Sequence, residues 1–152
     1  MAKFSDFRSL VNFCKSLDSQ PCWREVYANV IDEVEDFEVD GVRFITESSI
    51  DSIQQDELSG DLYVLGCFNS WFLADILSID EEVIQAMKEA EAFEALGKLI
   101  VSMGKLEELQ GAYASADGYG HHFNKYDNGE DEYTFNGTMY HAFDNRNYYW
   151  SP

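Results

Sequence analysis

Tyr133-Thr134-Phe135-Asn136-Gly137-Thr138-Met139-Tyr140-His141-Ala142-Phe143 decides the fold class of this chain. Two runs rich in aromatic and β-branched residues flank Asn-Gly. That pair readily takes the two positive-φ positions of a type I′ turn, whose twist matches that of paired strands. The stretch predicts an antiparallel hairpin. Glu38-Val39-Asp40-Gly41-Val42-Arg43-Phe44-Ile45 predicts a second one around Asp40-Gly41.

Outward from these hairpins the chain reads mostly as helix. Phe7, Leu10, Val11, Phe13, Cys14 and Leu17 recur at helical spacing behind Ser5, a candidate cap. Asp18-Ser19-Gln20-Pro21 breaks that pattern. A second helix is expected from about Pro21 to Phe37, with Trp23, Val26, Tyr27, Val30, Ile31 and Val34 as its apolar face. Ser48 to Leu58 suits a short helix. The apolar run Leu62-Tyr63-Val64-Leu65, within 61–68, suits a strand. Asn69 or Ser70 caps Trp71 to Leu77. Asp80 caps a long helical region reaching about Ala116, with an interruption expected near Gly97 or Gly104. Composition shifts near Asp117 toward Gly, Asn, Asp and aromatics. The sum is an α+β fold: a single helix-rich domain over residues 1–152, with a small antiparallel sheet and a C-terminal β-hairpin in the aromatic part from about 117.

The 152 residues suffice for one domain with a sizeable core, and 45% apolar content excludes acidic disorder. Cys14, Cys22 and Cys67 are odd in number and lack CxxC spacing, so a reduced, cytosolic setting is expected, with each cysteine a core filler. No apolar h-region follows Met1, and no apolar run approaches 18 residues.

Charge is the strongest functional signal. From Glu25 to Met87 there are sixteen carboxylates and one base, Arg43, giving −15 over 63 residues against −19 for the chain. A surface tuned for solubility alone intersperses both signs, with a net charge of about 2–8 in magnitude. At pI ≈ 4.2, direct binding to nucleic acid or to an anionic membrane is disfavoured. Basic surfaces or cations are the expected partners. A domain of this length spans about 35–40 Å, from a radius of gyration of about 15 Å. Duplex DNA of that length displays on the order of 20–24 phosphates. The 29 carboxylates are of the same order. Such a surface would attract a DNA channel lined with Lys and Arg, strongly at low salt and weakly at high salt.

Chemistry elsewhere is sparse. His121 and His122 are adjacent, and on an extended segment they would point to opposite faces. Gly118-Tyr119-Gly120 lacks the third glycine of a dinucleotide loop, and no HExxH occurs. Asp127-Asn128-Gly129-Glu130-Asp131-Glu132 lacks the register of a calcium loop and reads as a solvated acidic turn. No cofactor, metal site or catalytic residue is expected, although a metal-binding or enzymatic role for the His121/His122 region stands as an alternative.

In size, acidity, aromatic richness and acidic segments such as Asp32-Glu33-Val34-Glu35-Asp36 and Asp80-Glu81-Glu82, the chain resembles the small acidic DNA-mimic proteins of phages and plasmids. These include antirestriction proteins of the Ocr and ArdA types and several acidic anti-CRISPR proteins. The likeness is compositional, over about residues 25–108, and implies no topology. It implies a non-enzymatic inhibitor, in the cytoplasm of a bacterial host, that blocks the DNA-binding groove of a host defence nuclease complex (restriction or CRISPR-Cas). The partner would be a basic DNA-binding protein or nucleoprotein complex. Asp32, Glu33, Glu35, Asp36, Glu38, Asp40, Glu47, Asp80, Glu81 and Glu82 are the candidate contact residues. Homodimerisation, which would extend the acidic surface, stays open. An immunity protein or antitoxin that neutralises a basic nuclease toxin is the alternative within the same physics.

Overall fold

A computed structural model describes residues 3–124 and 130–144. In chain order the elements are α1 (Lys3–Ser16), α2 (Trp23–Ile31), β1 (Asp36–Val39), β2 (Val42–Thr46), α3 (Ile50–Ser59), α4 (Leu62–Gly66), α5 (Ser70–Leu77), α6 (Glu81–Glu89), α7 (Phe93–Ser102), α8 (Leu106–Phe123), β3 (Asp131–Phe135) and β4 (Thr138–Asp144). The fold is α+β, helix-rich, with one four-stranded antiparallel sheet of order β1-β2-β4-β3. The chain divides into two compact units, residues 1–50 with 117–152, and residues 51–116.

The first unit is built on the two hairpins. Asp40 and Gly41 have φ of 50° and 85°, Asn136 and Gly137 have 50° and 83°, and each pair forms the expected two-residue turn. One sheet face, including Val42, Phe44, Phe135, Tyr140 and Ala142, buries against Leu10, Cys14 and Leu17 of the first helical stretch and Val26 and Val30 of α2. The opposite face carries Arg43, His141 and Phe143. It meets the segment after Gly118, where Phe123 lies 5.0 Å beneath the Arg43 guanidinium and 5.1 Å from the Phe143 ring. Gly118 breaks α8 with φ 78° and ψ 162°.

The second unit is all helical. Its core includes Leu58, Leu65, Leu73, Ile76, Leu77, Ile84, Leu96, Ile100 and Leu109. Gly66 of α4 and Gly97 of α7 let the two backbones touch, since a Cβ at either would lie within 3.0 Å of the other helix's main chain. A buried amide group joins α3 to α8: Gln110 donates to Asp51 and Gln54 and accepts from Gln55.

Several expectations are corrected. Leu62–Leu65 is helix, not strand: Asp61 caps it, accepting from the Val64 N–H at 3.2 Å. α2 stops at Ile31, well short of Phe37, because Glu33 turns left-handed at φ 55°. The region after Asp80 breaks at 90–92 and again at Gly104, but not at Gly97, which lies inside α7. Asp80 stands at the N-cap of α6 without a side-chain capping bond. α1 starts before Ser5. His121 and His122 lie in a helical turn rather than an extended segment. Cys14 is buried, and burial, with neighbouring Cys22, pushes its thiol pKa up to about 11. Cys22 and Cys67 are exposed, so they are not core fillers. Asp127, Asn128 and Gly129 of the acidic turn lie outside the described residues.

Candidate functional site

All sixteen carboxylates between Glu25 and Met87 are exposed. Eight belong to each unit. What separates them is whether the fold itself has a use for them.

Six sit at helix starts, where the positive end of the macrodipole favours an anion. Glu25, Asp51, Glu81 and Glu82 lie in first turns, and Asp61 and Asp80 stand at N-caps. Asp80, Glu81, Glu82 and Gln85 line an open concavity of about 570 Å³, with Gln85 donating to Glu81 at 3.0 Å. The acidity of this set is therefore accounted for by helix stability.

Three more candidate residues are engaged inside the first unit. Asp36 takes both prongs of the Arg43 guanidinium, at 2.9 and 2.7 Å. The one base of the acidic stretch is thus neutralised locally. Asp40 accepts the Cys22 N–H at 2.8 Å. Glu47 bonds Nε2 of His141, whose Nδ1 lies 2.7 Å from Glu130. His141 is buried, and its ring stands against Tyr119, 5.3 Å between centroids. Burial works against its positive charge, but the hydrogen bonds to Glu47 and Glu130 outweigh it and raise the pKa above the usual histidine value.

Seven of the sixteen remain, and Asp32, Glu33, Glu35 and Glu38 are the candidate residues among them. Among the described residues no hydrogen bond or ion pair engages their carboxylates. Asp32, Glu33 and Glu35 gather just past the end of α2, at the negative end of the helix dipole, with no base in the last turn, and Glu38 follows in β1. The backbone there is firmly held. Glu33 N–H bonds Val30 O and Val34 N–H bonds Asn29 O, the two bonds of a Schellman motif. Thr46 N–H bonds Glu35 O at 2.9 Å, and the Tyr140 hydroxyl donates to Val34 O at 3.3 Å. Burial, then Glu33 and Glu35, raise the Tyr140 pKa. Asp32, Glu33 and Glu35 are therefore displayed on a rigid turn whose electrostatics oppose them, while Glu38 stands in β1 opposite Arg43.

The left-handed position is the clearest sign of that opposition. Three helices end in the same two-bond motif, α2 at Glu33, α6 at Glu91 and α7 at Gly104. Only Gly104 carries the residue the conformation favours. Replacing Glu33 or Glu91 with glycine is expected to stabilise the fold by about 0.5–1 kcal/mol each, through relieved φ strain and removal of a misplaced charge. Urea unfolding of the single variants checks this; a loss of stability in both would show that the left-handed glutamates are not strained.

The candidate residues thus separate into a free set, Asp32, Glu33, Glu35 and Glu38, an engaged set, Asp36, Asp40 and Glu47, and the helix-start set Asp80, Glu81 and Glu82. Sequence reasoning missed the Glu47–His141–Glu130 cluster. The available signal was register: the Asn-Gly turn puts Glu132 opposite His141, and Glu130 two residues earlier on the same side. Among the described residues no group of three His, Cys, Asp or Glu could hold a metal ion, and no helix is long and apolar enough to cross a membrane. No protein-family model, curated protein or solved structure matches the chain.

Proposed function

We propose that this protein is a non-enzymatic acidic inhibitor that occupies the DNA-binding groove of a basic host-defence nuclease complex in a bacterial cytoplasm, its carboxylates standing in for backbone phosphates. The observation that carries this reading is the free set at the end of α2. Asp32, Glu33, Glu35 and Glu38 are exposed, and among the described residues no hydrogen bond or ion pair engages their carboxylates. Helix electrostatics disfavour Asp32, Glu33 and Glu35 there, and at Glu33 backbone conformation does so as well. The same bias recurs along the one-base stretch. Asp56 and Glu57 lie in the last turn of α3 and Asp75 in that of α5, and neither turn contains a base. A surface kept acidic against its own fold suits a partner that supplies the missing cations.

The test is capture of partners from a bacterial lysate on the immobilised protein across a salt series. A nucleic-acid-binding enzyme held at low salt, released at high salt and displaced by duplex DNA is the expected result. Changing Asp32, Glu33, Glu35 and Glu38 together to Asn or Gln should weaken retention on the order of tenfold or more while the fold persists. Full retention by that variant, or retention indifferent to salt, would overturn the reading. A small nuclease toxin as the captured partner would instead identify an immunity protein.

A further inference from the structure

The short helix α4 turns an apolar face to water. Leu65 and Gly66 are buried and Leu62 packs on the second unit's core, while Tyr63 and Val64 are 56% and 45% exposed. Cys67, one turn after Tyr63, is exposed too. Trp71, in the first turn of α5, is 61% exposed. An outward helix face is ordinarily polar. Exposed Trp and Tyr are the usual anchors of protein interfaces, because each buries a large rigid area at small entropic cost.

Charge says what covers this face. Asp61, at the cap of α4, and Asp75, one turn beyond Trp71 along α5, are both exposed, and the one base brought to the connection between the two helices, Lys88, is part-buried with its ammonium donating to the Phe68 carbonyl. The second unit carries thirteen acids against three bases. A second copy, at −19, is repelled, as are nucleic acid and anionic lipid.

We propose that the outward face of α4 and the first turn of α5 dock a basic amphipathic segment of a partner protein, with its apolar side chains over Tyr63, Val64 and Trp71 and its Lys or Arg residues toward Asp61 and Asp75. This rests on the reading of the protein as an acidic inhibitor of a basic target, and adds to it an apolar anchor that phosphate mimicry does not require.

The experiment titrates the full chain with two fluorescent synthetic peptides of equal length and charge, one an amphipathic Lys/Leu helix, the other with Ser in place of every Leu. At low salt both peptides bind and the Leu peptide binds at least about tenfold more tightly. In Trp71→Ala combined with Val64→Ser, which spares the Tyr63–Phe93 ring contact at 5.2 Å, that preference disappears while the Ser peptide binds as before. Far-UV circular dichroism and the urea midpoint confirm that the variant is folded. Equal binding of both peptides to the wild type, or a preference that survives in the variant, overturns the docking face and leaves the acidic reading standing. Failure of both peptides to bind overturns the acidic reading itself, and the docking face with it. A dimer in sedimentation that Trp71→Ala abolishes would assign the face to a second copy and also overturn the proposal.

Discussion

Gly66→Ala and Gly97→Ala are each expected to cost about 3 kcal/mol or more, enough to unfold the second unit if its stability is ordinary. In most helices the same change is favourable, because alanine exceeds glycine in helix propensity by about 1 kcal/mol. Here sterics win. A Cβ on Gly66 would lie 2.7 Å from the Phe93 carbonyl carbon and 2.9 Å from its Cα, and closer still to the oxygen. A Cβ on Gly97 would lie 2.8 Å from the carbonyl carbon of Leu62. The obstacles are main chain on both sides, so no rotamer change makes room. The helices would have to separate, exposing Leu65 and Leu96, both fully buried. Gly111 is the internal control. It is exposed, nothing lies within 4 Å of its would-be Cβ, and Gly111→Ala should stabilise by about 0.5–1 kcal/mol. Urea unfolding followed by far-UV circular dichroism reads all three. Losses below about 1 kcal/mol at both Gly66 and Gly97 would mean that α4 and α7 do not cross this closely.

These two glycines also explain which parts of the fold could be read in advance. Asp40-Gly41 and Asn136-Gly137 were legible because a tight turn needs positive φ at adjacent positions, and few residue pairs supply it. Gly104 was legible for the same reason at a helix end. Glu91 ends α6 in the same way and Glu33 ends α2, but neither is a residue that advertises a left-handed conformation, so both ends were read too late. The run Leu62–Leu65 was read as a strand because its outer face is as apolar as its inner one, which erases helical periodicity. The apolar outer face that hides the helical period is the one that marks α4 as the proposed docking face. Gly97 looked like a helix breaker because sequence cannot distinguish a glycine that ends a helix from one that admits another backbone.

At the candidate site, charge was legible and engagement was not. That Asp32 through Glu47 would face water followed from the spacing of the apolar residues around them. That Asp36 would be taken by Arg43 depended on the register that sets Glu38 opposite Arg43, with Asp36 two residues earlier on the same face. That Glu47 would be taken by His141 depended on β2 pairing with β4, strands some ninety residues apart in sequence whose pairing no local pattern encodes. Long-range pairing therefore decides which carboxylates between Asp32 and Glu47 stay unengaged among the described residues.

The Glu47–His141–Glu130 cluster carries the other large expected effect, a fold that weakens as pH rises above about 6.5 with a slope traceable to one residue. His141 is 4% exposed in its side chain, and both ring nitrogens meet carboxylates, so the imidazolium is the form the site holds. Its folded pKa lies above the unfolded value of about 6.5. The stabilisation is therefore fully present below about pH 6.5 and is lost as pH climbs through the raised folded value, at no more than about 1.4 kcal/mol per pH unit for one proton. The protein's overall negative charge is common to wild type and variant, so their difference in slope isolates the histidine. His141→Phe keeps an aromatic beside Tyr119 and Phe143 but cannot be charged, and its stability should lack that part of the decline. His141→Ala, which removes the cation and the ring together and leaves two glutamates facing a cavity, should cost about 2–3 kcal/mol near pH 6. That is toward the low end for breaking a buried pair, because Glu47 is 54% exposed and water screens it. Urea midpoints of the three proteins across this pH range decide the matter. Identical slopes for wild type and His141→Phe would mean that folding leaves the proton affinity of His141 unchanged, so that Glu47 and Glu130 do not favour its charged form.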